Sequence, residues 1–169
     1  SDPKILCMVR DIRCVVASFE RAYQNNRFSP DCPDNPSALE NLTLEERINY
    51  YLNSNPLNIS LKRLDDVFQT GVSDKMLFIR HEDLCCYPEE VINKVYQYLK
   101  EEKYTHDFNN IKKRVKENSS AFGIFGNHSV KKSIEPITDR TWSDVLSDEV
   151  SSSLHNAMIV YQNRFGYTL

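Results

Sequence analysis

A chain of 169 residues, 40% hydrophobic and 27% charged, has the balance of one folded domain, and a formal net charge of -3 gives nothing to steer it to nucleic acid or to an anionic membrane. No apolar run nears the roughly 20 residues of a membrane-spanning helix. Ser1 is an unexpected natural start, so a piece of a longer protein is expected and no targeting segment is read from its beginning.

The opening stretch Lys4–Tyr23 organises the reading. Ile5, Leu6, Cys7, Met8 and Val9 form an apolar run that predicts a strand covered on both faces. Arg10 and Asp11 break it, and Ile12, Val15, Val16, Phe19 and Tyr23 repeat at helical spacing. Asp11 is placed to cap that helix. Gln24–Leu42, with Pro30, Pro33 and Pro36, reads as a long loop. Thr43–Glu46 matches a capping box for a short helix to Leu52, and Leu57–Phe68 is a second helix ended by Gly71. Residues 24–68 are expected to form an excursion from the strand and helix core.

Met76–Ile79 predicts a second buried strand, again stopped by charge at Arg80, His81, Glu82 and Asp83. Two short apolar strands ending in charged residues point to a parallel sheet with a working carboxyl edge. Pro88 then starts a helix to Lys100 with Glu89 and Glu90 in its first turn. A further helix is expected over Asp107–Lys116. Ser119–Pro136 reads as a loop holding Lys131 and Lys132. Ser147 caps a last helix through Phe165, with Gly166 as its stop.

Cys7, Cys14, Cys32, Cys85 and Cys86 are odd in number and match no metal knuckle. A reducing, cytoplasmic setting is the simpler reading. Four sequons, at Asn41, Asn58, Asn118 and Asn127, place the chain in the Golgi lumen if they are used. No zinc-protease motif, nucleophile elbow, dinucleotide fingerprint or Walker-type loop occurs. No metal site is expected.

Two readings stand for each charged constellation. Arg10 and Ser18 suit a phosphomonoester through charge-assisted bonds, or Arg10 and Arg13 pair with Asp11 at the surface and Ser18 bonds its own helix. His81 with Glu82 and Asp83 is either part of a ligand site or a structural group that holds Arg10 or Arg80. Lys131 and Lys132 either close over an anion or are solvated.

At these residues the sequence resembles the sulfotransferase family, enzymes that use 3'-phosphoadenosine 5'-phosphosulfate (PAPS). Val9–Arg21 is similar to the family's segment after its central strand, with Ile12 in place of the usual proline. The family's 3'-phosphate arginine and serine fall on Arg10 and Ser18, eight positions apart. His81-Glu82-Asp83-Leu84 and the proline-started helix resemble a second family segment, with His81 where a tyrosine often lies near adenine. Trp142, Leu146–Glu149 and Phe165-Gly166-Tyr167 resemble the C-terminal pattern. The resemblance implies an α/β fold, a parallel sheet flanked by helices in a P-loop-like arrangement, incomplete at its N-terminal side. The family's phosphosulfate loop and usual catalytic base precede the arginine segment and are not in this sequence, so residues 1–169 are expected to be the C-terminal portion of the domain.

The implied function is sulfuryl transfer from PAPS to a hydroxyl or amine, with the excursion at 24–68 on the acceptor side, where Tyr50, Tyr51 and Phe68 either contact an apolar acceptor or fill core. This chain would supply the half-site for the 3'-phosphate of PAPS or adenosine 3',5'-bisphosphate through Arg10, Ser18, His81, Lys131 and Lys132, and no catalytic residue. The alternative is a non-catalytic nucleotide-binding or protein-interaction module of the same fold. A sheet lacking its first strand exposes an edge, so self-association or pairing with a separate N-terminal segment is expected.

Overall fold

The structure, a computed structural model, describes residues 3–28, 37–112, 132–137 and 140–169. The chain divides into two compact units. The first takes in Ser1–Arg10, Leu61–Lys112 and Lys131–Asp139, the second Asp11–Ser60, Lys113–Val130 and Arg140–Leu169.

The first unit holds strands β1 (Ile5–Val9) and β2 (Met76–Arg80), which pair in parallel with Ile5 opposite Met76 and Val9 opposite Arg80. A parallel pair needs a long crossover, and here most of the described residues between the strands are helical. Its last helix, α3 (Leu57–Gln69), belongs to this unit from Leu61 onward and stacks Phe68 on Phe78 of β2, centroids 5.4 Å apart. Two helices follow β2, α4 (His81–Cys86) and α5 (Pro88–Leu99), and both pack on β2. Pro88 opens α5, as its missing N–H and fixed φ favour. Tyr98 of α5 ties the strands at their start, its hydroxyl accepting from Ile5 N–H at 3.1 Å and donating to the Lys75 carbonyl.

Two expectations need correction in this unit. β1 is not covered on both faces: Leu6 and Met8, on one side of the pleat, are 42% and 50% exposed, whereas Ile79, level with Met8 on β2, is 8% exposed. The helices after β2 cover β2 itself. Arg80 ends β2, and His81–Cys86 forms α4 with Glu82 and Asp83 favourably placed in its first turn. The helix expected over Asp107–Lys116 is absent from its described part. Asn109 N–H donates to the Asp107 side chain at 3.1 Å, an Asx turn that competes with helix. The backbones of Ile111 and Phe108 bond instead to Lys132 and Ile134, at 2.7 and 2.9 Å. Residues 113–116 lie outside the described residues.

The second unit is helical. It contains α1 (Ile12–Asn26), α2 (Leu44–Asn53), the first turn of α3, α6 (Asp148–Ala157) and α7 (Ile159–Arg164). Asp11 caps α1 by accepting from Arg13 N–H, and the Thr43–Glu46 capping box starts α2. α2 and α6 both pack on α1, around Val16, Ala17, Tyr23, Ile48 and Leu154, all buried. Tyr51, one of the residues read as either acceptor contact or core, is core at 2% exposed, its ring edge-on to Phe19.

The single last helix expected from Ser147 to Phe165 is two helices. Met158 separates them, its N–H shared between the carbonyls of Leu154 and His155 at 3.1 and 3.2 Å. Such sharing marks a tightened turn. Three serines before it and the branched pair Ile159–Val160 after it lower the helix propensity on either side. Gly166, at φ 71, ends α7 in the left-handed region, as a glycine stop does. No helix among the described residues is long and apolar enough to cross a membrane.

Candidate functional site

In the first unit the parallel register builds one edge. Val9 is level with Arg80, so the next residues, Arg10 and His81, leave their strands side by side at the carboxyl end. Open α/β sheets use this edge for ligands because the loops there are free to diverge. Both side chains are half-buried. Burial first, and then the positive charge of Arg10, push the His81 imidazole below its ordinary pKa, while Glu82 opposes the shift. The neutral form of His81 is therefore favoured beside the Arg10 guanidinium.

Arg80 adds a second guanidinium at the strand end, 3.8 Å from the Asp83 carboxylate one helical turn on. Cys85 lies against His81, its sulfur 3.7 Å from Nε2. The edge thus offers two guanidinium groups and a neutral imidazole. That donor set suits a phosphate monoester, whose oxygens take charge-assisted bonds from arginine, and a neutral ring can still donate one N–H.

The other predicted residues are placed less closely. Ser18 is half-buried on α1, in the second unit. Lys132 is exposed in the first unit, where its carbonyl accepts from Ile111 N–H. Lys131 lies outside the described residues, as do the sequons at Asn118 and Asn127 and most of the loop Ser119–Pro136. Arg13 does not form the expected surface pair with Asp11. Their pair is buried, with Nη2 to Oδ2 at 2.6 Å.

Two buried polar groups of the second unit were not foreseen. Glu20, 3% exposed, accepts from Arg47 Nη2 at 2.6 Å, Gln24 Nε2 at 2.6 Å and the Tyr51 hydroxyl at 3.0 Å. Burial works to raise its pKa, but these bonds, led by that from Arg47, hold the carboxyl below its ordinary value. Burial, followed by the Glu20 charge, pushes the Tyr51 hydroxyl well up. The second group joins Asp11 and Arg13 to Gln162 and His155. Burial and then the Arg13 charge lower the His155 pKa against the opposing pull of Asp11.

Each group carries a sequence sign. Glu20 falls between Val16 and Tyr23 on the buried stripe of α1. Gln162 follows His155 by two helical turns. A polar residue on an apolar stripe calls for a partner.

Among the described residues no group of three or more His, Cys, Asp or Glu side chains is placed to hold a metal ion. No curated protein and no solved structure matches the chain. The profile of the family described as "Sulfotransferase domain" matches residues 1–164, nearly the whole length. That match covers well over half of the chain, and a small parallel sheet flanked by helices is consistent with it, so the chain belongs to the sulfotransferase family.

Proposed function

We propose that the chain takes part in transfer of a sulfuryl group from PAPS to a hydroxyl or amine acceptor, and that it supplies the half-site for the nucleotide's 3'-phosphate. The observation that carries this reading is the register of β1 and β2, from which Arg10 emerges at the carboxyl edge with its charge acting on His81. Arg10 and Ser18 hold the phosphate. His81 packs beside the adenine, and Lys131 and Lys132 close over the anion. When bound, PAPS supplies a sulfuryl group whose bond to the 5'-phosphate oxygen breaks as the acceptor bonds to sulfur and gives its proton to a base. No residue of this chain is assigned as that base. The work of Arg10 is to neutralise the phosphate in a partly dehydrated edge, where a charge-assisted bond gains strength.

Two further readings accompany this one. The sheet, two strands wide among the described residues, takes another strand along an edge, from a second copy or from a separate segment, and exposed Leu6 and Met8 leave β1 an apolar face to be covered in the same association. Cys7, Cys14, Cys85 and Cys86 are thiols rather than disulfides, which favours a reducing, cytoplasmic setting.

Calorimetric titration with adenosine 3',5'-bisphosphate and with adenosine 5'-monophosphate tests the proposal. The bisphosphate should bind saturably, and the monophosphate, which lacks the 3'-phosphate, about tenfold or more weaker, the loss of one charged hydrogen bond or more. Equal affinities would overturn the reading.

A further inference from the structure

We propose that Gln162 is a positioning residue for the nucleotide half-site, acting by locking the first turn of α1. The inference rests on the reading of Arg10 and Ser18 as phosphate ligands. Gln162 is 0% exposed, on α7, and its amide meets three partners. Oε1 accepts from Ile12 N–H at 3.3 Å. Nε2 donates to Asp11 Oδ1 at 3.0 Å, and faces His155 Nδ1 at 3.3 Å. These partners fix which way round the amide stands. Reversed, it would set an oxygen against the carboxylate and an N–H against the Ile12 N–H.

The lock is larger than a cap requires. Asp11 already caps α1 through Arg13 N–H at 2.8 Å. A helix leaves its first N–H groups without internal partners, and solvent ordinarily takes them. Here Gln162 takes that of Ile12, the first residue of α1. The Arg13 guanidinium grips both Asp11 oxygens and also donates to the Thr168 carbonyl at 2.6 Å. The first turn of α1 is thus held by residues beyond position 150, on both sides of Gly166.

What is fixed is Asp11, the residue bonded to Arg10, and the helix that carries Ser18 two turns on. A ligating side chain such as that of Ser18 needs its own backbone held within about half an ångström. Gln162 does not touch the phosphate in this account. It sets where the helix starts.

Gln162→Glu keeps the shape and the acceptor for Ile12 N–H but sets a carboxylate against Asp11. Affinity for adenosine 3',5'-bisphosphate is measured by calorimetry, with thermal unfolding confirming that each variant is folded. Gln162→Glu should bind about tenfold weaker or more, the size of loss seen when a supporting partner is removed. The loss should be specific to the 3'-phosphate, with affinity for adenosine 5'-monophosphate changed by less than about threefold, well under the tenfold that 1.4 kcal/mol represents. Unchanged binding of the bisphosphate by folded Gln162→Glu overturns the inference, and so does an equal loss for both nucleotides. If Gln162→Glu does not fold, Gln162→Met takes its place with the same expected loss and the same overturning result. Loss of binding in the unaltered chain would instead strike the reading of Arg10 and Ser18, whereas intact binding with an indifferent Gln162 leaves that reading standing.

Discussion

Gln162 and Asp11, 151 positions apart, meet at 3.0 Å in a buried hydrogen bond. The Asp11 carboxylate is 3% exposed, and its donors come from Arg13 backbone, Arg13 guanidinium and Gln162. A buried carboxylate survives only when donors meet it on this scale. The aspartate after Arg10 therefore joins the helix start to the chain's last turns.

The Glu20–Arg47 pair makes the sharpest stability prediction. Both side chains are nearly buried, 4% and 11% exposed, and joined at 2.6 Å. Arg47→Met leaves Glu20 buried with its main counter-charge gone, and should cost about 3–5 kcal/mol by urea unfolding. Adding Glu20→Leu should recover much of that loss, because no buried charge is then left without its partner. A double variant no more stable than Arg47→Met would count against this account.

Stability should fall in mild acid. The pKa values of His81 and His155 are both lowered from 6.5 in the folded chain. Below 6.5 the unfolded imidazoles take up protons that the folded ones refuse, so their contribution is present above that pH and is lost as pH falls toward the folded values. The slope is at most about 1.4 kcal/mol per pH unit for each histidine. Thermal melts between neutral pH and pH about 5 should show it, and His155→Gln should flatten part of it. A flat profile in the unaltered chain would remove the burial argument.

Exposed Leu6 and Met8 predict association. Sedimentation should show a concentration-dependent shift to a larger species, and Met8→Glu should return the chain to monomer. A monomer at every concentration would leave a separate segment as the strand's only partner.

Ser18→Ala should weaken adenosine 3',5'-bisphosphate by about tenfold, the loss of one hydrogen bond to a charged group, while leaving the melting temperature nearly unchanged, since Ser18 is only half-buried. Unaltered affinity would take Ser18 out of the half-site.

The strands, their parallel pairing and most helix starts were legible because each rests on local signals. Asp11, Thr43, Pro88 and Ser147 stand where their capping chemistry puts them. The exposure of Leu6 and Met8 was not legible, because an apolar run does not say which face its neighbours cover. The missing turn of helix after Asp107 was lost to partners at Lys132 and Ile134, more than twenty positions away, that no local window contains. For the site, Arg10 and His81 were placed at one edge from the strand ends alone, and the register agrees. Gln162 and Glu20 were missed because each looks like an ordinary surface residue until the stripe it interrupts is traced through its helix.

The central claim, that Arg10 is a ligand of the 3'-phosphate, is tested most directly by calorimetric titration of adenosine 3',5'-bisphosphate into the chain and into Arg10→Ala and Arg10→Lys. The account predicts saturable binding that falls by about tenfold to a hundredfold in Arg10→Ala. Arg10→Lys should fall between the two, because lysine keeps the charge but not the two-pronged geometry. Affinity in Arg10→Ala equal to that of the unaltered chain would contradict it.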